Sequence, residues 1–167
     1  MDATGLRQLQ DPYKQRYRQD PEAAAITLRA QGDLGAEGVS CSVETGRALV
    51  EAGLHPATGG DGASACSGDM LLQALVACAG VTLRAVAASL EIPVAGGWVR
   101  AEGDLDVRGT LAVAKDAPVG FSAIRLWFEL DAEGTEDQLD TLVRLTERYC
   151  VVYQTLAGTP ALSMARR

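Results

Sequence analysis

The stretch SGDMLLQALVACAGVTLRAV, from Ser67 to Val86, decides the fold, because it has the composition of one long apolar helix with a single cysteine, Cys78, near its middle. A glycine-rich segment precedes it and Pro93 follows it, and neither favours continuation of a helix. We therefore predict a helix from about Ser67 to Leu90, with Ser67 as its N-cap.

One face of this helix carries Cys78, because at about 100° per residue a fixed set of side chains shares its direction. The set is Leu71, Ala74, Leu75, Cys78, Val81, Thr82 and Ala85. The opposite side carries Asp69, Gln73 and Arg84, which are typical of a solvated stripe. A helix this apolar is a core helix, and in such a helix a free cysteine usually packs as a small hydrophobe. The pattern alone favours packing for Cys78 and leaves a reactive thiol open.

A second helix is predicted to begin after Thr135, where the sequence TEDQ matches a capping box of Thr135 with Gln138. Apolar side chains then recur at helical spacing as far as Tyr153. They are Leu139, Leu142, Val143, Thr146, Tyr149, Cys150 and Tyr153. The spacing predicts one helix with Cys150 facing the core.

The remaining segments are predicted to form one short helix and several strands. TGLRQLQDPYKQRYRQDPEAA is predicted to form a short amphipathic helix that ends before Pro21. AAITLRAQG, GVSCSVE and RALVEAG predict a three-stranded meander, and the glycine-rich loop HPATGGDGASACSG follows. GGWVRAEGDLDVRGTLAV and GFSAIRLWFELDA predict two or three more strands. The order of helix, strands, long helix, strands and helix defines an α+β class. Trp98, Trp127 and Phe128 are expected to fill the core or an interface.

Length, composition and charge limit the classes of partner and the cellular location that we expect for the protein. The 167 residues are long enough for one domain with a core. A net charge of −7 and a pI near 4.7 argue against nucleic acid and anionic membranes as partners. We expect no signal peptide and no membrane span, because no stretch approaches ~18 apolar residues without a charge. The expected location is cytoplasmic.

The four cysteines do not suggest a metal site. Cys41, Cys66, Cys78 and Cys150 form no CxxC pair, and His55 is the single histidine. A zinc site needs about four ligands at close spacings, so we expect no metal and no cofactor. Cys41 lies in a predicted strand and is interpreted as packing. Cys66 precedes the long helix, whose N-terminus would lower a thiol pKa, and is a weaker second candidate.

Cys78 and Cys150 are the stronger candidates because each lies on the apolar face of a core helix. Two such helices in a small domain pack near each other. A disulfide would need the two Cα atoms within about 7 Å, which spacing does not decide.

Two segments resemble the OsmC/Ohr family. GDMLLQALVACAGVTLRAVA resembles the family's central helix, and LVRLTERYCVVYQTL is similar to its second cysteine segment, usually Ala-Glu-x-x-Cys-Pro. The resemblance covers the chain from about residue 24, which implies a single OsmC-like domain with a family core over 24–167 and an N-terminal helical extension over 1–21. It implies an intertwined homodimer with long central helices packed against curved, mainly antiparallel sheets.

The resemblance also implies an activity, that of a thiol-dependent organic hydroperoxide reductase. Cys78 matches the peroxidatic cysteine and Cys150 the resolving one, so the implied cycle passes through a sulfenic acid and a Cys78–Cys150 disulfide that a dithiol, lipoyl-type in some members, recycles. The alternative is a non-enzymatic OsmC-like dimer that binds a small apolar ligand, with incidental thiols.

Three departures from the family pattern bear on this choice. Gly68 stands ten residues before Cys78, where the peroxidase branch has a glutamate, and Asp69 follows it. No arginine matches the family's, and the nearest candidates are Arg16, Arg18 and Arg29. Val151 follows Cys150 in place of proline. These departures favour the alternative, whereas retention of both cysteines favours the reductase.

Overall fold

The computed structural model describes residues 3–5, 8, 15, 19, 32–34, 40–44, 49–112 and 114–166, with backbone alone for 32–34, 40–44 and 49. The described residues among the first twenty are helical, in agreement with the predicted N-terminal helix. Arg16, Arg18 and Arg29 lie outside the described residues, and so does most of the first predicted strand.

A small sheet precedes the long helix. Strands β1 (Gly32–Leu34), β2 (Ser40–Glu44) and β3 (Leu49–Gly53) form an antiparallel meander. β2 and β3 lie in predicted strand segments, whereas β1 begins at Gly32, the last residue of the first predicted segment. A two-residue strand, β4 (Ala65–Cys66), then pairs in parallel with β3. Between β3 and β4 the chain makes a 3₁₀ turn, Pro56–Thr58.

Three helices and two long strands complete the chain. Helix α1 spans Ser67–Leu90, and strands β5 (Val94–Leu105) and β6 (Phe121–Ala132) pair in a second sheet. The short helix α2 (Val107–Thr110) lies between these strands, and α3 (Glu136–Tyr149) and α4 (Val151–Ala157) follow them. The capping box is confirmed: the Thr135 N–H donates to Gln138 Oε1 at 2.9 Å, and the Gln138 N–H donates to Thr135 Oγ1 at 3.3 Å.

Helix α1 has the predicted length but a different buried face. Leu75, Ala79, Leu83 and Ala87 are buried, one on each successive turn. Predicted core positions at Leu71, Ala74 and Val81 are exposed, so that part of the prediction was wrong. The helix is apolar around most of its circumference, and the sequence pattern therefore gives little direction to its core face. Ser67 is itself helical, because β4 leads directly into α1, and so it is not the N-cap.

Contacts between Cα atoms divide the chain into two compact units. The first contains Met1–Gln15, Ala74–Arg100 and Leu126–Arg167. Its core joins Leu83 and Ala87 of α1 with Ile92 and with Leu142 of α3, and Phe128 packs against this cluster as expected. Val143 and Tyr149 of α3 are exposed, contrary to the predicted apolar face.

The two tryptophans are not core residues. Trp98 is 72% exposed and Trp127 is 38% exposed, so the prediction of core filling was wrong for both. Gly97 lies next to Trp98 in β5. Its φ of +134° is unfavourable for other residues, and a Cβ there would lie 2.2 Å from the Glu129 carbonyl oxygen. The close approach of β5 and β6 therefore requires glycine beside Trp98.

The second unit contains Arg16–Gln73 and Ala101–Arg125. Phe121 is half-buried, and its ring occupies the space into which side chains at Gly68 and Gly103 would extend. On the surface of this unit, Arg125 pairs with Asp104 and lies 3.6 Å from Glu102.

Helix α1 is, in the described part of the chain, the one helix long and apolar enough to cross a membrane by length and composition alone. Core helices of globular proteins have the same properties. The row from Leu75 to Ala87 is buried against the protein itself, which is the arrangement of a core helix.

Candidate functional site

The site is built on a break between two helices. The sequence predicted one helix through Cys150, but α3 ends at Tyr149 and α4 begins at Val151, with Cys150 extended between them at φ −73° and ψ 109°. Gln154 crosses the break and donates from Nε2 to the Glu147 carbonyl oxygen at 2.9 Å. Because the first N–H groups of a helix have no partner within it, the break frees those of α4 for other acceptors.

Those N–H groups affect the pKa of Cys78. Hydrogen bonding from the backbone N–H groups of Val152 and Val151, from the Cys150 thiol and from the Thr82 hydroxyl lowers the pKa of its thiol. Burial raises the pKa of the Cys78 thiol, and the four donors together outweigh burial, so its pKa lies below the ordinary value. The arrangement therefore favours a thiolate at Cys78.

The pKa of Cys150 is shifted in the opposite direction. It is 1% exposed, and burial together with the neighbouring Cys78 raises its pKa. The N–H groups of Tyr153 and Val152 donate to its sulfur and offset part of this effect. At a pH at which Cys78 is ionised, Cys150 remains a neutral thiol that donates to it. Such a pair has one nucleophile and one nearby thiol able to condense with its oxidised form.

The lowered pKa predicts the pH dependence of alkylation. Because only the thiolate reacts, the rate of Cys78 modification by iodoacetamide should reach half its maximum at a lower pH than that of free cysteine. Cys150→Ala removes one donor and should move this midpoint upwards. Peptide mass spectrometry after alkylation across a pH series measures both. A Cys78 midpoint at or above that of free cysteine would contradict the assigned donors.

The acid and the arginine of the family pattern have no counterpart around Cys78 among the described residues. A Cβ at Gly68 would lie 3.4 Å from the Phe121 ring and 3.6 Å from Cys66 Sγ, so position 68 faces those two side chains. Asp69 is exposed in the first turn of α1, where a carboxylate suits the helix dipole. Among the described residues, the groups that lower the Cys78 pKa are backbone N–H groups, a hydroxyl and a thiol.

A small cavity of about 100 Å³ adjoins the pair. Cys150 is in its wall together with Phe128, Val143, Glu147 and Tyr153, whereas Cys78 is not. Burial, together with the neighbouring Glu147 carboxylate, raises the Tyr153 pKa. The cavity therefore has an apolar interior and one polar end.

The other cysteine positions lie elsewhere. Cys66 is half-buried at the end of β4 in the second unit, and Cys41 lies in β2, as predicted. His55 accepts from the Ala57 N–H at 3.0 Å and caps the 3₁₀ turn. In the part of the chain that the structure describes, no three His, Cys, Asp or Glu side chains are grouped so as to hold a metal ion.

Sequence reasoning proposed the two cysteines as the site and did not predict the groups that lower the Cys78 pKa. The N–H groups of Val151 and Val152 became available through a helix break that the apolar spacing concealed. The one signal was the residue after Cys150: proline, which the family has there, starts helices well and lacks an N–H, whereas Val151 supplies one.

The comparisons with known proteins agree with this architecture. The family model described as OsmC-like protein matches residues 60–164. The chain belongs to the OsmC-like family. No curated protein matches the sequence.

Several solved structures share the fold. An OsmC-like protein from Mycoplasma pneumoniae superposes with a TM-score of 0.67 at 16% identity, over 80% of this chain and 89% of that one. An organic hydroperoxide resistance protein OsmC from Legionella pneumophila gives 0.62 at 16% identity, over 80% and 90%. One from Elizabethkingia anophelis gives 0.57 at 17% identity, over 81% and 91%. The α+β, OsmC-like fold is thereby confirmed.

Proposed function

We propose that this protein is a thiol-dependent organic hydroperoxide reductase, with Cys78 as the peroxidatic thiol and Cys150 as the resolving thiol. The observation that carries the proposal is the direct interaction of the two thiols, which lowers the Cys78 pKa and raises the Cys150 pKa. Family membership supports it, since two of the structural relatives are described as organic hydroperoxide resistance proteins.

The proposed reaction begins at the Cys78 thiolate. It attacks one oxygen of the peroxide, the O–O bond breaks, and the other oxygen leaves in an alcohol after taking up a proton. Cys78 is then a sulfenic acid. Cys150 attacks its sulfur, a disulfide forms, and the hydroxyl group leaves as water with the Cys150 proton. A dithiol, lipoyl-type in the family resemblance, returns the pair to two thiols by exchange.

The surroundings of Cys78 favour an organic peroxide over hydrogen peroxide. Leu75 and Ala79 are its neighbours on α1, and the exposed Ala74 and Val81 lie on the same face of the helix as Cys78. Burying an alkyl or aryl group against such side chains contributes about 25 cal/mol per Å². Hydrogen peroxide has no such group and gains nothing from the surface.

We also propose that the protein acts as a homodimer. Val81 is 73% exposed and Trp98 is 72% exposed, and both line an apolar groove of about 380 Å³ beside α1. A monomer seldom leaves such large apolar side chains grouped on its surface. A second copy of the chain would cover the groove.

Because the cycle needs free thiols, we place the protein in the cytoplasm.

A second candidate is a non-enzymatic OsmC-like dimer that binds a small apolar ligand. The observation that favours it is the absence of a charged side chain, among the described residues, from the groups that shift the Cys78 pKa. In this case the thiols would pack without reacting.

The oxidation rate of Cys78 with two peroxides tests the choice. Reduced protein is mixed with cumene hydroperoxide or with hydrogen peroxide, and the sulfenic acid is trapped with dimedone in the Cys150→Ser variant. We expect the organic peroxide to react at least about tenfold faster, since its aryl group is buried against apolar side chains. Cys66→Ser should leave the rates unchanged. Equal rates, or no adduct on Cys78, would favour the ligand-binding alternative.

A further inference from the structure

The cavity beside the thiol pair is lined by one of the two cysteines and not by the other. Cys150 is in its wall, Cys78 is not, and two of the other wall residues, Val143 and Glu147, are exposed at the protein surface. Cys150 itself is 1% exposed. The cavity therefore links Cys150 to residues that are exposed at the protein surface.

Access to Cys78 comes from a different side. Cys78 is half-buried on the α1 face that also carries the exposed Ala74 and Val81. Cys78 thus borders the α1 surface, whereas Cys150 borders the cavity.

The thiols also differ as leaving groups. Thiol–disulfide exchange is faster when the departing thiol has the lower pKa. The N–H groups of Val151 and Val152 and the Thr82 hydroxyl stabilise a thiolate at Cys78, whereas burial raises the Cys150 pKa. Attack on Cys150, which releases Cys78, is favoured over the reverse.

We propose that this cavity is the reductant site, and that a slender, uncharged dithiol enters it and attacks the Cys150 sulfur of the oxidised pair. The proposal rests on the proposed function for its place in a cycle. The size of the cavity, about 100 Å³, admits a thiol on an unbranched carbon chain and excludes a bulky one. The Glu147 carboxylate at its polar end repels anionic thiols.

The dithiol reduces the Cys78–Cys150 disulfide in two exchange steps. A thiolate of the dithiol forms a bond to Cys150 Sγ, the Cys78–Cys150 bond breaks, and Cys78 departs with the electron pair as a thiolate. The second thiol of the reductant then attacks its own first sulfur and releases Cys150, which takes up a proton. The dithiol is oxidised by two electrons to a cyclic disulfide, and the cysteine pair is reduced by two.

The position of attack can be mapped without any peroxide. The Cys78–Cys150 disulfide is formed with diamide in a Cys41→Ser, Cys66→Ser background and treated briefly with 2-mercaptoethanol, whose single thiol leaves a mixed disulfide. N-ethylmaleimide then blocks the freed thiol. We expect mercaptoethanol on Cys150 and maleimide on Cys78 in most molecules. The mercaptoethanol adduct on Cys78 in half of the molecules or more would overturn the proposal, as would a failure of the two cysteines to form a disulfide.

A variant of the cavity wall tests the route itself. Val143→Trp places a ring at the mouth, so reduction of the disulfide by dithiothreitol should slow by about tenfold, since exchange depends on access to the attacked sulfur. Val119→Trp, at a 65% exposed position that is not in the wall, is the matched control and should reduce at the parent rate. The anionic thiol 2-mercaptoethanesulfonate should react more slowly than 2-mercaptoethanol. Equal rates for Val143→Trp and its control would overturn the route.

These measurements separate the inference from the proposed function. Diamide forms the disulfide whether or not Cys78 reacts with peroxides. Attack at Cys78 together with peroxidase activity would reject the cavity alone, and attack at Cys150 without activity would reject the peroxidase alone.

Discussion

Replacing Cys78 with serine is expected to reduce dithiol-coupled turnover of cumene hydroperoxide by more than about a thousandfold, because a serine hydroxyl is not ionised near neutral pH and only the anion attacks the O–O bond. The four donors around Cys78 stabilise a thiolate, and they cannot compensate for the much higher pKa of a hydroxyl. The rate at which peroxide is lost in the presence of excess dithiothreitol, monitored with a dye assay, measures the effect.

Two further variants test whether the loss of turnover is specific to Cys78. Cys150→Ser should still consume about one equivalent of peroxide and then stop at the Cys78 sulfenic acid, because the resolving thiol is absent. Cys66→Ser should turn over at the parent rate, since Cys66 lies in the other unit against Gly68. Turnover by Cys78→Ser at more than a few per cent of the parent rate would remove Cys78 from the reaction.

The second large effect is on stability. Leu142 is 0% exposed and joins α3 to Leu83, Ala87 and Ile92 in the core of the first unit. Leu142→Ala should lower the free energy of unfolding by about 2–5 kcal/mol, because it removes buried methyl groups and leaves a cavity. Urea unfolding followed by circular dichroism measures the change. Protein concentration must be held fixed, since a dimer's apparent stability depends on it.

Leu162→Ala is the matched control. Leu162 is 91% exposed, so the same truncation there should change the free energy of unfolding by less than about 0.5 kcal/mol. A loss below about 1 kcal/mol for Leu142→Ala would mean that this cluster is not the centre of the core.

Much of the fold could be predicted because its elements have local signals. The capping box at Thr135 and Gln138 marks the start of α3 in four residues. The glycine-rich loop and Pro93 bound α1 closely enough that its predicted limits were correct. Neither signal depends on long-range contacts, and both are therefore legible in one sequence.

Other features could not be predicted, because packing decides them. α1 is apolar around most of its circumference, so the choice of Ala79 and Leu83 over Leu71 and Val81 as core residues depends on what packs against it. Trp98 was expected in the core or an interface, and its exposure in the single chain leaves the interface as the remaining prediction.

The candidate site likewise has one part that the sequence predicts and one part that it does not. Helical spacing places Cys78 and Cys150 on apolar faces, and the family resemblance pairs them. The two backbone donors to Cys78 arise from one residue, Cys150, whose extended backbone ends α3 and exposes the first N–H groups of α4. β-Branched Val151 and Val152 continue the apolar pattern through this point, and the spacing therefore predicts a continuous helix.

The measurement that tests the central claim most directly is the product formed with one equivalent of peroxide. Fully reduced protein is treated with cumene hydroperoxide for seconds, quenched with N-ethylmaleimide and digested without reductant. The account predicts a peptide pair joined by a Cys78–Cys150 disulfide, with Cys66 alkylated, and no such pair from Cys78→Ser. Recovery of Cys78 and Cys150 as alkylated thiols after minutes of exposure would contradict the account and leave the thiols as packing residues in an OsmC-like protein.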